Sequence, residues 1–158
     1  MDVSDAWVLD IIQNGYVIEF SHPPPASGVV STFLPKREPR CSALLLGVED
    51  LLAKRAISRV PFGERGRGVY SVIFLVQNLS GSFRTVINLK GVNRWVIPSW
   101  FRMVTLQEII PLVKQGDWMS SVNLSDAYLH VPVRRSSQRF LRFAVEEEHF
   151  QFEVLPFG

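Results

Sequence analysis

The sequence predicts an α+β fold, with a few helices set among antiparallel strands. Three observations predict it. "SALLLGVEDLLAKRAIS" (42–58) spaces Leu44, Val48, Leu51 and Leu52 along one helical face. "VYSVIFLVQ" and "SFRTVINL" are apolar, β-rich runs on either side of the turn-forming "NLSG" (78–81). "RFLRFAV" and "HFQFEVL" alternate apolar and polar residues around the acidic "EEE" (146–148). With 47% hydrophobic residues, the chain of 158 has ample material for a core.

Residues 1–40 read as a poorly ordered leader laid over a surface. Trp7–Ile12 has the makings of a short helix, and "GYVIEF" (15–20) of an extended segment. The prolines of "HPPPASG" then break regular structure, because proline fixes φ and lacks an N–H. The domain proper occupies 41–158. Its helix leads through the Gly- and Arg-rich loop "VPFGERGRG" (60–68) to a hairpin of Val72–Gln77 with Phe83–Leu89. Thr105 and Glu108 form a capping box and start a helix that Pro111 kinks or shortens and Gly116 ends. "WMSSVNL" (118–124) is expected as a strand. The two runs flanking "EEE" are expected as a hairpin with one wet face, Arg142 and Ala144 lying opposite Leu141, Phe143 and Val145.

The net charge of +2 does not by itself imply a nucleic-acid partner, but its distribution is uneven. Arg134, Arg135, Arg139 and Arg142 fall in an acid-free run, and Arg55–Arg67 holds four arginines against Glu64. Such clusters suit a phosphate backbone or, equally, a solvated face. Cys41 is the only cysteine, so neither an intrachain disulfide nor a cysteine-based zinc site can form. His22, His130 and His149 have no metal-like spacing, and no P-loop is present. The acidic start "MDVSDAWVLDII" is not a secretion signal, and no run reaches the roughly 18–20 apolar residues of a membrane span. An intracellular protein, cytoplasmic or nuclear, with no membrane partner is the expectation.

"FLVQNLSGSFRTVINLKGVNR", "LSDAYLHVPV" and "RFLRFAVEEEHFQFEVLPFG" resemble, in that order, the reverse transcriptase of a retrotransposon. The resemblance runs from about Leu44 to Gly158 and is closest to the tyrosine-recombinase (DIRS-like) type, where a "GDW" step precedes the first catalytic strand and "RFLRFA" follows. It implies fingers and the beginning of a palm. Arg84 then matches the fingers arginine that reaches an incoming triphosphate; unaided, it reads as a strand-edge arginine. Asp126 and Ala127 match residues whose backbone N–H groups hold phosphate oxygens. Tyr128 matches the aromatic gate under the sugar, a position that spacing alone would give to a core aromatic. Phe157 and Gly158 match the turn that lines the nucleotide pocket.

The departures from the family concern charge. Its first metal-binding aspartate falls on Asn123, which is nearly isosteric but neutral. Asn88 stands where a fingers aspartate is usual, and Gln77 and Asn78 where lysines are usual. The paired-aspartate motif that lies beyond "LPFG" in the family is absent from these residues. The expectation is therefore a catalytically silent reverse-transcriptase-like fragment that holds no metal itself, although the parent family uses Mg²⁺. The alternative is a non-catalytic nucleic-acid-binding module that weakly engages RNA or an RNA/DNA hybrid through Arg84 and the Arg134, Arg135, Arg139 and Arg142 cluster. A third reading is the amino-terminal part of an active polymerase. Self-association through exposed apolar palm surface is expected as well.

Overall fold

A computed structural model describes residues 5–79, 81–99 and 102–157. Helix α1 spans Ala6–Asn14, and the Asp5 carboxylate caps it by accepting from the Trp7 and Val8 amides. The longer α2, Arg40–Ala53, buries Leu44, Val48 and Leu51. It lies against the hairpin of β3 (Ile73–Gln77) and β4 (Phe83–Ile87), paired from Ile73 with Ile87 to Gln77 with Phe83. Helix and strand approach closely at Gly47. A Cβ there would fall 2.0 Å from the Thr85 hydroxyl.

The second sheet has the order β1–β5–β6–β2, made of Ser31–Thr32, Arg142–Val145, Glu148–Phe152 and Ile57–Arg59. β1 runs parallel to β5, and the other two pairings are antiparallel. Phe143 is fully buried, its ring 5.2 Å from Phe150 and 5.6 Å from Phe152. Leu44, Ile87, Leu141 and Val92 complete the driest part of one continuous core. Val92 is carried by the short α3, Lys90–Asn93. Among the described residues no helix is long and apolar enough to cross a membrane.

Residues 15–34 make long-range contacts that left no periodic signal in the sequence. The Tyr16 amide donates to the Pro132 carbonyl, and the Arg134 amide returns a bond to Tyr16. Ile97 bonds Glu19 in the same way, and Ile18, Phe20 and Leu34 pack on the core. Glu146, at φ 51, helps to hold β1: its carbonyl accepts from the Ser31 hydroxyl and its carboxylate from the Leu34 amide.

Two local expectations are corrected. Trp118–Leu124 is not a strand; it is irregular and exposed throughout. A strand needs a ladder partner, and none of the described residues pairs with this segment. All of 102–125 is exposed, carrying Met103, Leu106, Ile110, Leu112, Trp118, Met119 and Val122 into solvent. Within this arm the capping box does start a helix, α4 (Leu106–Ile109), which passes into a 3-10 turn where Pro111 removes an amide donor. The second correction concerns β5, which has no wet face. Arg142 and Ala144 are as buried as their neighbours, because the 61–69 loop and Gln151 cover the side assigned to water. The remaining short helix is α5, Arg135–Gln138.

Candidate nucleotide pocket

A cleft of about 200 Å³ opens where four separate parts of the chain meet. α2 contributes Gly47 and Asp50, its C-terminal cap contributes Lys54, and the hairpin and its turn contribute Phe83, Arg84, Thr85 and Asn78. Asp126 and Leu129 come from a 3-10 turn, Ala127–His130, and its preceding residue; Phe157 comes from the end of the chain described. The Ile87 amide donates to the Phe157 carbonyl at 3.1 Å, tying that end to β4.

The cleft brings together residues that the sequence pointed to. The Arg84 guanidinium lies 5.0 Å from the Phe157 ring centroid, and Tyr128 meets the same ring edge-on at 5.3 Å. Tyr128 is 57% exposed, so it is not a core aromatic. Asp126 sits in the left-handed region at φ 50, ψ 42, a conformation that costs a non-glycine residue about 1 kcal/mol or more and redirects the chain into the turn beginning at Ala127. Asn123, three residues earlier, is exposed and does not line the cleft. Gly158 lies outside the described residues.

Lys54 is the participant that sequence reasoning missed. Its ammonium stands 2.7 Å from Asp50 and 2.9 Å from Asp126, bridging α2 to the 3-10 turn. The hydrogen bonds it donates to Asp50 and then to Asp126 raise its pKa. The signal was available: Gly47, Asp50 and Lys54 are three and four apart, so they share one helix face. The consequence is electrostatic. Arg84 and Lys54 are matched by Asp50 and Asp126, so the cleft has no net positive charge to offer.

The arginine cluster divides. Arg134 pairs with Asp10 at 2.8 Å. Asp10 is held below the usual carboxylate range by its hydrogen bond from Asn14, then by Arg134. Arg142 is 3% exposed, and its guanidinium donates to Gln151, to the carbonyls of Glu64 and Arg67, and to the Glu64 carboxylate. Its predicted contact with nucleic acid is thus corrected; a buried, fully engaged guanidinium has nothing to present. Arg135 and Arg139 remain exposed.

The overall backbone likeness is to solved foamy-virus structures. One, a foamy viral protease–reverse transcriptase in complex with double-stranded DNA, superposes with a TM-score of 0.63 at 19% identity, over 93% of this chain and 26% of that one. Another, a prototype foamy virus protease–reverse transcriptase mutant, gives 0.66 at 14% identity, over 92% and 19%. The fold is that of a reverse transcriptase. The sequence relatives are polyproteins of viruses and of a transposon. The chain is 30% identical over 92 residues to the enzymatic polyprotein of Figwort mosaic virus, covering 56% of this chain and 14% of that protein. It is 22% identical over 86 residues to the Tf2-3 transposon polyprotein of Schizosaccharomyces pombe, covering 54% and 6%. The chain thus spans a small fraction of these relatives' length. No family model matches it.

Proposed function

We propose that this chain is a retroelement-derived fingers-and-palm segment, with residues 41–158 as its body and 15–34 packed onto it rather than standing apart as a leader, that retains a deoxynucleotide pocket and does no catalysis as it stands. One observation carries the reading: Arg84, Asp126 and Phe157, far apart in sequence, line one cleft, with Tyr128 packed at its edge. The "GDW" and "RFLRFA" steps favour a tyrosine-recombinase type of parent element.

The donor set does not fit the Mg²⁺ that the parent family uses. Asn123 offers a neutral amide, and Asp126 is engaged by Lys54. Among the described residues no group of three or more His, Cys, Asp or Glu could hold a metal. With no ligand set to offset the charge of a transferring phosphoryl group, the residues can position a nucleotide but cannot activate it. The ion pairs of Lys54 make triphosphate binding weak. RNA or an RNA/DNA hybrid is the partner that a fingers surface would meet, in the cytoplasm or nucleus. The exposed apolar arm of 102–125 favours self-association.

The test is deoxynucleoside triphosphate binding to the full chain, followed by intrinsic fluorescence, alongside primer extension on an RNA template with Mg²⁺. Weak binding that Arg84→Gln abolishes is expected, with no extension by the wild type or by Asn123→Asp. Extension above a no-enzyme control would refute the silent assignment. Binding indifferent to Arg84→Gln would refute the pocket.

A further inference from the structure

The cleft between α2 and the β3–β4 hairpin holds Lys54 and Arg84 against Asp50 and Asp126, so its formal charge is zero. The hairpin turn adds Asn78, a neutral amide. The four charges are unevenly paired. One ammonium, that of Lys54, serves two carboxylates, at 2.7 Å from Asp50 and 2.9 Å from Asp126. That side of the cleft therefore keeps a net negative charge. Among the described residues that line the cleft, Arg84 is the cation left without a carboxylate. Its guanidinium is exposed and rests over the Phe157 ring at 5.0 Å.

The acidic side is held in place from two directions. Asp50, on α2, and Lys54, at its C-terminal cap, are four residues apart and so meet across one helical turn. Asp126 arrives from the opposite wall, on a backbone fixed at φ 50 and tied to the turn that follows by the Leu129 amide, which donates to the Asp126 carbonyl at 2.8 Å. With about 200 Å³ of space, a ligand anchored at Arg84 has no room to keep a long anionic chain clear of both carboxylates.

We infer that this cleft selects its ligand by charge, taking a nucleoside monophosphate in preference to a triphosphate, with Asp50 and Asp126 as the specificity-determining residues. The inference rests on the nucleotide reading of the cleft and narrows its ligand class. A single phosphate group carries about two negative charges at neutral pH, and Arg84 meets it with paired N–H donors. Further phosphates bring charge against the Asp50–Lys54–Asp126 side, where like charges repel. Lys54 cannot turn to them without leaving two carboxylates unpaired. The three side chains are between 36% and 56% exposed, so water screens the repulsion and the result is a preference, not an exclusion.

The experiment is isothermal titration calorimetry of the full chain with deoxyadenosine monophosphate and triphosphate, without divalent cations, at low and high salt. The wild type should bind the monophosphate at least as tightly as the triphosphate. Asp50→Asn removes one carboxylate and keeps the Lys54–Asp126 bridge. It should tighten the triphosphate on the order of tenfold and the monophosphate by less, with the gain shrinking at high salt. Asp126→Asn should act in the same direction, since asparagine tolerates the left-handed backbone, and a thermal melt checks that both variants fold. Glu49→Gln, on α2 but outside the cleft, controls for the loss of a negative charge. A wild type that prefers the triphosphate tenfold, or an Asp50→Asn variant that shifts both ligands equally or neither, overturns the selectivity and leaves the nucleotide reading standing. If neither ligand binds the wild type or Asp50→Asn, the nucleotide reading fails and the selectivity fails with it.

Discussion

Replacing Arg142 by methionine separates the contributions of its contacts. The guanidinium donates to the carbonyls of Glu64 and Arg67, to the Gln151 amide oxygen at 3.0 and 3.1 Å, and to the Glu64 carboxylate at 2.5 Å. Methionine keeps most of the side-chain volume but none of the donors. The Glu64 side chain is 47% exposed, so its carboxylate rehydrates at little cost. The two carbonyls and Gln151 fare worse, because each acceptor left dry costs about 1–3 kcal/mol. Partial rehydration of the loop brings the total to about 3 kcal/mol, a large share of the ~5–15 kcal/mol typical of a domain. Glu64→Gln, which keeps an acceptor, should cost under about 1 kcal/mol. Urea unfolding followed by circular dichroism measures both, and at a slope of about 2 kcal/mol per molar the arginine variant should lose about 1.5 M in midpoint. Equal losses for the two variants would mean that the ion pair, not the carbonyl bonds, holds the loop. A loss below about 1 kcal/mol for Arg142→Met would remove the guanidinium's structural role altogether.

Gly68→Ala should cost about 2 kcal/mol or more in the same assay, since it combines a left-handed backbone with a clash against the Arg139 carbonyl oxygen. Stability should fall on acidification. Burial, then the nearby Arg65, depress the pKa of His149 below 6.5, while its Nδ1 and the Tyr70 hydroxyl share a hydrogen bond at 2.9 Å. The unfolded chain then binds the proton more readily than the native one, so this contribution is complete above pH ~6.5 and is lost as pH drops below it. Melting temperatures of the wild type should decline across that window, and those of His149→Phe should decline less. Limited trypsin digestion should cut first after Lys114, in the exposed arm, before any site within the sheets. Early cleavage after Arg59 instead would contradict the arm's isolation from the core.

What was legible in the sequence was what repeats or what carries its own chemistry. α2 announced itself through Leu44, Val48 and Leu51, and the β3–β4 hairpin through two apolar runs around "NLSG". The Thr105–Glu108 box, a matter of four consecutive residues, was found as written. The errors came where the environment decides. Arg142 alternates with Phe143 and so reads as a solvent residue; only the position of the 61–69 loop buries it. Trp118–Leu124 has strand composition, yet composition supplies no partner strand. The pairing of Ser31–Thr32 with Ala144–Val145 is too short to leave any pattern. At the site, Arg84, Asp126, Tyr128 and Phe157 came from a resemblance rather than from spacing, whereas Lys54 lay within reach of simple helix geometry.

The order β1–β5–β6–β2 has a consequence for how the protein fails. The two outer strands are only Ser31–Thr32 and Ile57–Arg59, while the longer β5 and β6 lie inside. A stranger's backbone looking for hydrogen bonds there finds at most two or three residues to copy, too short a template for a growing ribbon. The longer open edges belong to the β3–β4 hairpin, five residues a strand, so any ribbon this chain seeds has to start on that side of the protein.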